Sequence, residues 1–469
     1  TNDTVGAGVT ALTNGNYVVS SINWDNPSPS IAGVGAVTWG NGTAGTVGLV
    51  SASNSLIGGT ANDTVGAGVT ALTNGNYVVR SPSWDNASPV IVGVGAVTWG
   101  NGAGGTVGLV SASNSLVGST ANDTVGNNGV TALTGGNYVV NSSIWGSSDF
   151  GAVTWGNGTT GTVGLVSASN SLVGSTSNDG VGNIGVTALT NGNYVVISKD
   201  WGSSNVGAVT WGNGTTGISG VVSSSNSLVG STSNDGVGNI GVTALTNGNY
   251  VVISSIWGSS DFGAVTWGNG TTGISGTVSS SNSLVGGSAS DQVGGQGVTA
   301  LTNGNYVVRS QNWDDPLLLV ADVGAVTWGN GTTGVSGTVS SSNSLVGGAT
   351  SDRVGIGGVT ALTNGNYVVR SQNWDNPLPL IADVGAVTWG NGTTGISGTV
   401  SSSNSLVGST AFDTVGYGGV TALTNGNYVV NSSIWGSSSF GAVTWGNGTT
   451  GVSGTVSSSN SLVGGATND

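Results

Sequence analysis

Gly8-Val9-Thr10-Ala11-Leu12-Thr13-Asn14-Gly15-Asn16-Tyr17-Val18-Val19 is the stretch on which the reading of this chain turns. It returns almost letter for letter seven more times, with its tyrosine at Tyr77, Tyr138, Tyr194, Tyr250, Tyr306, Tyr367 and Tyr428. The 469-residue chain is therefore an array of eight copies of one unit, and the usual division of length into domains does not apply. The repeats run approximately over 1–60, 61–120, 121–176, 177–232, 233–288, 289–349, 350–410 and 411–469. Within the stretch, two β-rich runs, Val9–Thr13 and Asn16–Ser21, meet at Asn-Gly. An Asn-Gly connection between such runs predicts an antiparallel hairpin with a type I′ turn, which needs positive φ at both central residues.

The second repeat gives the rest of the unit. Asp63-Thr64-Val65-Gly66 opens it, the hairpin covers Gly68–Ser81, and a turn-rich piece, Ser81-Pro82-Ser83-Trp84-Asp85-Asn86, comes next. A third strand reads Gly95-Ala96-Val97-Thr98-Trp99-Gly100, with Val97 and Trp99 on one face. A Gly/Ser-rich connection leads to a fourth, Asn114–Gly118. Gly interrupts nearly every window and no 3.6-residue apolar period is sustained, so essentially no α-helix is expected. Four short strands per repeat predict an all-β fold: an eight-bladed β-propeller of four-stranded blades, closed head to tail as one domain over 1–469. The alternative is a β-solenoid, whose strands pair with the next coil rather than through a tight hairpin.

Composition narrows the function. Cys, His, Met and Glu are absent, and the bases are only Lys199, Arg80, Arg309, Arg353 and Arg370. General acid–base and nucleophilic catalysis need a tunable group or a base beside a nucleophile, so no catalytic residue is assigned and the chain is not read as an enzyme. A net charge of −14 argues against nucleic acid or anionic membrane as partners. No apolar run approaches the length of a membrane span, so membrane insertion is not expected. The chain starts Thr1-Asn2-Asp3 and ends Thr467-Asn468-Asp469, the same point in the repeat, as a segment of a longer polypeptide would.

The order Ser-Leu-Val-Gly, Asp-x-Val-Gly, Val-x-Ala-Leu-x-Asn-Gly-Asn, Ser-Pro-x-Trp and Gly-Ala-Val-Thr-Trp resembles the FG-GAP repeat of integrin-type β-propellers. Val65-Gly66 would take the Phe-Gly position, Ser81-Pro82 would lie near the Gly-Ala-Pro position, and Gly95–Gly100 would be the next strand. The wording of the repeat is also similar to repetitive segments of giant bacterial surface proteins of the filamentous-haemagglutinin kind. The resemblance implies a bacterial, extracellular or cell-surface location. The FG-GAP family often carries an Asp-rich calcium loop between its first two strands. Here that place reads Thr73-Asn74-Gly75-Asn76, so neither calcium nor another cofactor is expected.

One aspartate recurs in every repeat: Asp3, Asp63, Asp123, Asp179, Asp235, Asp291, Asp352 and Asp413. A carboxylate in such a turn caps its own backbone amides, whereas calcium would need six to eight oxygens. Asn-Gly-Thr at Asn41, Asn157, Asn213, Asn269, Asn330, Asn391 and Asn447 matches a glycosylation acceptor but is read as an ordinary hairpin turn. Each repeat also holds two tryptophans. Those of the third strand are expected to pack between repeats. Those after the hairpin, Trp24, Trp84, Trp313 and Trp374 among them, lie beside a variable loop and are candidate stacking platforms for carbohydrate.

That loop is five residues longer in repeats 1, 2, 6 and 7 (Asp25–Val34, Asp85–Val94, Asp314–Val323 and Asp375–Val384) than in the Gly-Ser-Ser version of the others. It is also apolar, with Leu317, Leu318, Leu319, Leu378, Leu380 and Ile381 as candidate contact residues. In a closed ring the four long loops would share one arc. The expected function is a non-enzymatic structural or adhesive module of a larger secreted or cell-surface protein. Its partner is then another protein or a second copy, held through these loops. The alternative is a lectin-like propeller that binds a surface glycan.

Overall fold

A computed structural model describes residues 4–465. The chain is all-β: strands make up 38% and helix 2%, the latter two single-turn pieces at Trp201–Asn205 and Trp257–Asp261. It forms two compact units, one built from Thr1–Val229 with Gly270–Gly276 and the other from Gly230–Asn269 with Thr277–Asp469.

Every repeat is a four-stranded antiparallel meander. In repeat 2 the strands are Gly68–Ala71, Tyr77–Ser81, Ala96–Gly100 and Ser115–Val117, hydrogen-bonded in that order. The register puts Thr98 opposite Val79 on one side and Ser115 on the other. Two sets of side chains result, because neighbours along a strand point to opposite faces. Val78, Arg80, Val97, Trp99 and Leu116 share a leading face; Tyr77, Val79, Ser81, Ala96 and Val117 share a trailing face.

The core lies between repeats. Val78, Val97 and Leu116 of repeat 2 pack against Val125, Tyr138, Val140, Ala152 and Val173 of repeat 3. The same leading-on-trailing contact recurs inside the second unit, where Val368, Val387 and Leu406 meet Val415, Tyr428, Val430 and Ala442. Both faces of an internal sheet are thus covered, and small residues make the close approach possible. Tyr77 lies over Gly100, its cross-strand partner, so closely that a Cβ there would sit 2.1 Å from the ring.

The hairpin is present in every repeat, but its turn differs from the type I′ expectation. The amide of Gly15 donates to Leu12 O at 3.1 Å and the amide of Leu12 to Asn16 O at 2.8 Å. Gly15 alone has positive φ, at 87°. This is a three-residue loop, a type I turn followed by a left-handed glycine. Asn14 stays right-handed, with its side-chain oxygen accepting from the amide of Asn16 at 3.0 Å.

A fifth strand was not expected. Within the Gly/Ser-rich connection of repeat 3, Gly164–Leu165 pairs in parallel with Leu116–Val117 of repeat 2. Equivalent pairs join repeats 1 to 2 and 3 to 4, and in the other unit 5 to 6, 6 to 7 and 7 to 8. A two-residue strand is too short to show alternation. The sheet of repeat 8 has only its own four strands, Gly419–Ala422, Tyr428–Ser432, Ala442–Gly446 and Ser461–Val463.

Candidate contact surfaces

The recurrent aspartates are buried structural groups. Asp179 Oδ2 accepts from the amides of Ser175 and Thr176 at 2.7 and 2.8 Å. Its Oδ1 accepts from the Thr176 hydroxyl and, at 2.9 Å, from the amide of Gly202 just after Trp201. Asp63, Asp123, Asp235, Asp291, Asp352 and Asp413 reach the same position after their own tryptophans. Each carboxylate ties its turn to the start of the variable loop, whether that loop is long or short. Asp3 lies outside the described residues. With both oxygens of Asp179 occupied by protein donors, the arrangement does not fit a metal ion, and the described residues contain no cluster of three or more metal-ligating side chains. Burial pushes the Asp352 carboxyl up to about 6, against its backbone hydrogen bonds and with the Asp375 charge adding to the rise.

The sequons are occupied as turns. Asn157 Oδ1 accepts from the amides of Thr159 and Thr160 at 2.8 and 3.1 Å, and Asn213, Asn330, Asn391 and Asn447 do likewise.

The tryptophans proposed as stacking platforms are corrected by their burial. Trp24, Trp84, Trp313 and Trp374 are only 4, 3, 1 and 1% exposed. Trp313 packs among Val293, Tyr306, Val323 and Ala325, and presents no ring face to a sugar. The long loop folds over the indole and seals it, which the linear sequence does not reveal.

The loops themselves are small hairpins with an anchored side and a bare tip. In repeat 7, Asn376–Pro377 pairs with Leu380–Ile381, and Ile381 turns inward to pack beside the core that holds Trp374. Ile381 is therefore an anchor rather than a contact residue, as Ile31, Ile91 and Val320 are in repeats 1, 2 and 6. Leu378 and Leu380 stand 88 and 76% exposed. In repeat 6, Asp315 Oδ1 accepts from the amides of Leu317 and Leu318, and Leu317, Leu318 and Leu319 all point outward. Repeat 2 exposes Val90 and Val92 at the same place in the other unit.

One polar device, missed in the sequence, recurs at the junctions between repeats. Three donors converge on one glycine carbonyl of the next repeat. Gly158 O accepts from Asn74 Nδ2 (2.8 Å), Asn76 Nδ2 (2.9 Å) and Trp99 Nε1 (2.9 Å). Gly102, Gly270, Gly331, Gly392 and Gly448 receive the equivalent trio. Gly214 receives two, because repeat 3 has Gly135 in place of the first asparagine. The asparagines that read as turn formers are also the clamps between repeats. Next to the clamps lie shallow grooves of about 250–290 Å³, walled by Trp155, Trp211 and Trp328 and by Thr-Gly-Ile-Ser of the next repeat.

Comparison with known proteins places the chain in a family. It belongs to the family described as a repeat of unknown function (DUF5650), matched at residues 11–67, 71–127, 132–183, 188–239, 244–295, 300–356, 361–417 and 422–469. The number of matches equals the number of repeats read from the tyrosine spacing, and each match holds one of the eight recurring tyrosines, with bounds that start about ten residues later. No curated protein matches. Among solved structures, a crystal structure described as a 6-phosphogluconolactonase from Bacteroides uniformis is similar over 70% of this chain and 82% of its own. The identity is 12% and the TM-score 0.30, a likeness that transfers neither fold nor activity.

Proposed function

We propose that this chain is a non-enzymatic structural or adhesive module of a larger secreted or cell-surface bacterial protein. On this reading each repeat is a propeller-type blade related to FG-GAP units. The meander order, the glycine-tight packing between sheets and the order of short motifs support it. The single observation that carries the function is the pair of adjacent bare loop tips in repeats 6 and 7. There Leu317, Leu318, Leu319, Leu378 and Leu380 are each exposed, and no charged residue stands between Pro316 and Ala321 or between Pro377 and Ala382. Exposed apolar clusters on an otherwise polar scaffold mark contact surfaces. The scaffold also lacks His, Cys and Glu, the groups on which acid–base and covalent catalysis most often rest.

The test replaces both loops with the Gly-Ser-Ser form found in repeat 3 and measures adhesion to fixed bacterial and epithelial cells. Loss of adhesion with an unchanged β-sheet spectrum supports the reading. Undiminished adhesion removes the loops from it. A carbohydrate-binding reading rests on the grooves beside Trp155, Trp211 and Trp328 rather than on the buried rings. A glycan-array signal lost in Trp211→Phe with folding intact would favour it.

A further inference from the structure

Repeats 6 and 7 alone read Arg-Ser-Gln-Asn-Trp at the end of the second strand, at Arg309–Trp313 and Arg370–Trp374. The first position of that motif holds Arg80 in repeat 2 and Ser20, Asn141, Ile197, Ile253 and Asn431 in the others. Two of the five bases of a chain with net charge −14 thus fall at one place in successive repeats, both inside the second compact unit. Arg80 and Arg370 reach forward: Arg80 Nη1 donates to Gly126 O at 3.0 Å and Arg370 Nη1 to Gly416 O at 3.3 Å, each in the next repeat. The repeat ahead carries an asparagine there in both cases, Asn141 and Asn431. Arg309 has Arg370 ahead of it, and its Nη2 instead turns back to Gln296 O of its own repeat.

The two side chains nevertheless flank one short run, Gly355-Ile356-Gly357-Gly358. A Cβ on Gly355 would lie 3.9 Å from Arg309 Cγ, and one on Gly358 would lie 3.5 Å from Arg370 Nη2. Burial lowers the Arg309 guanidinium from its ordinary value, and the Arg370 charge lowers it further. No carboxylate answers the pair. The ion pairs among the described residues are Lys199–Asp200 and Arg353–Asp322. In the adjoining loops, Asp314, Asp315 and Asp375 turn an oxygen to backbone amides of their own loops. The Nε–H groups of Arg309 and Arg370 are buried with no acceptor, although buried donors are nearly always paired. Two half-buried like charges are thus held side by side, short of both negative charge and acceptors.

We propose that Arg309 and Arg370 bind one doubly charged tetrahedral oxyanion, a phosphate group, at the rim of the Gly355–Gly358 run. Guanidinium forks match such oxygens in geometry, and a dianion neutralises both charges where a single carboxylate would neutralise one. The chain's net negative charge still disfavours a polyanion, but it is screened over about 10 Å at 0.1 M salt and leaves a small oxyanion free to enter. Inorganic phosphate and the phosphate of a monoester share this chemistry. The site goes beyond the contact reading and stands apart from it: replacing the loops after Trp313 and Trp374 leaves both arginines in place.

The test is calorimetric titration of the chain at pH 8 with inorganic phosphate and, separately, with phenyl phosphate, at constant ionic strength in chloride. Saturable binding of one phosphate per chain is expected, lost by about tenfold or more in Arg309→Gln and in Arg370→Gln. Arg80→Gln removes the same charge from the same register position without an arginine neighbour, and is expected to bind as the wild type does. Arg309→Lys keeps the charge and the stem but not the fork, so weakened binding in that folded variant supports recognition by the guanidinium. Binding of both probes supports a site open to a phosphorylated molecule, and binding of inorganic phosphate alone supports a site for the free ion. No saturable binding to the wild type overturns the proposal. So does an Arg80→Gln loss equal to the other two, which would report general screening, or full binding by Arg309→Gln.

Discussion

The indole Nε1–H of Trp389 donates to the carbonyl oxygen of Gly448 at 3.0 Å, from the third strand of repeat 7 to a turn of repeat 8. Asn364 Nδ2 and Asn366 Nδ2 reach the same oxygen at 2.8 Å. Gly448 is as constrained as the donors are, since a Cβ there would lie 1.7 Å from the Gly426 carbonyl. Apolar faces alone would let neighbouring sheets slide; three directed donors on one acceptor set their register.

The two sides of this contact are predicted to respond differently to substitution. Trp389→Phe keeps most of the ring and loses one donor, at a cost of about 1 kcal/mol in denaturant unfolding. Gly448→Ala forces the backbone apart and is expected to cost about 3 kcal/mol. Equal effects from the two would show that the clamp contributes no register.

Alkaline unfolding is expected between about pH 10 and 12. Burial pushes the phenols of Tyr77, Tyr138 and Tyr428 up to about 12, and those of Tyr194, Tyr306 and Tyr367 are raised as well. An unfolded tyrosine titrates near pH 10, so within that window the folded chain holds more protons and stability falls as pH rises. Each raised phenol removes about 1.4 kcal/mol per pH unit, and several acting together make the loss cooperative. Phenolate absorbance and β-sheet circular dichroism should change together; phenolate appearing in a folded chain would contradict the burial.

Chelation is predicted to leave the melting temperature unchanged, because protein donors occupy both oxygens of Asp179. Asp179→Ala strands two turn amides and the Gly202 amide, and is expected to lower stability by about 2–4 kcal/mol. A fall in melting temperature with EDTA would show that metal binds the native state.

Much of the fold was legible in the chain because its signals are local. The tyrosine spacing, the Asn-Gly loop and the alternation through Val97 and Trp99 each depend on residues within a few positions of one another. The hairpin and the number of repeats came from them. The turn at Asn14-Gly15 was placed correctly and typed wrongly, since Asn-Gly can serve either turn; repeat 3 makes the same three-residue loop with Gly135 in place of the asparagine, so the asparagine side chain does not select it.

What only the tertiary structure decided is which groups end up covered. Trp374 and Leu378 lie four residues apart in one apolar loop, yet one is 1% exposed and the other 88%. Val387 and Val443 hold the same place in nearly identical repeats, yet the first is buried against repeat 8 while the second is 40% exposed. Repetition makes the residues of each unit the same. Burial belongs to pairs of units, and the sequence of a single unit carries no record of its neighbour.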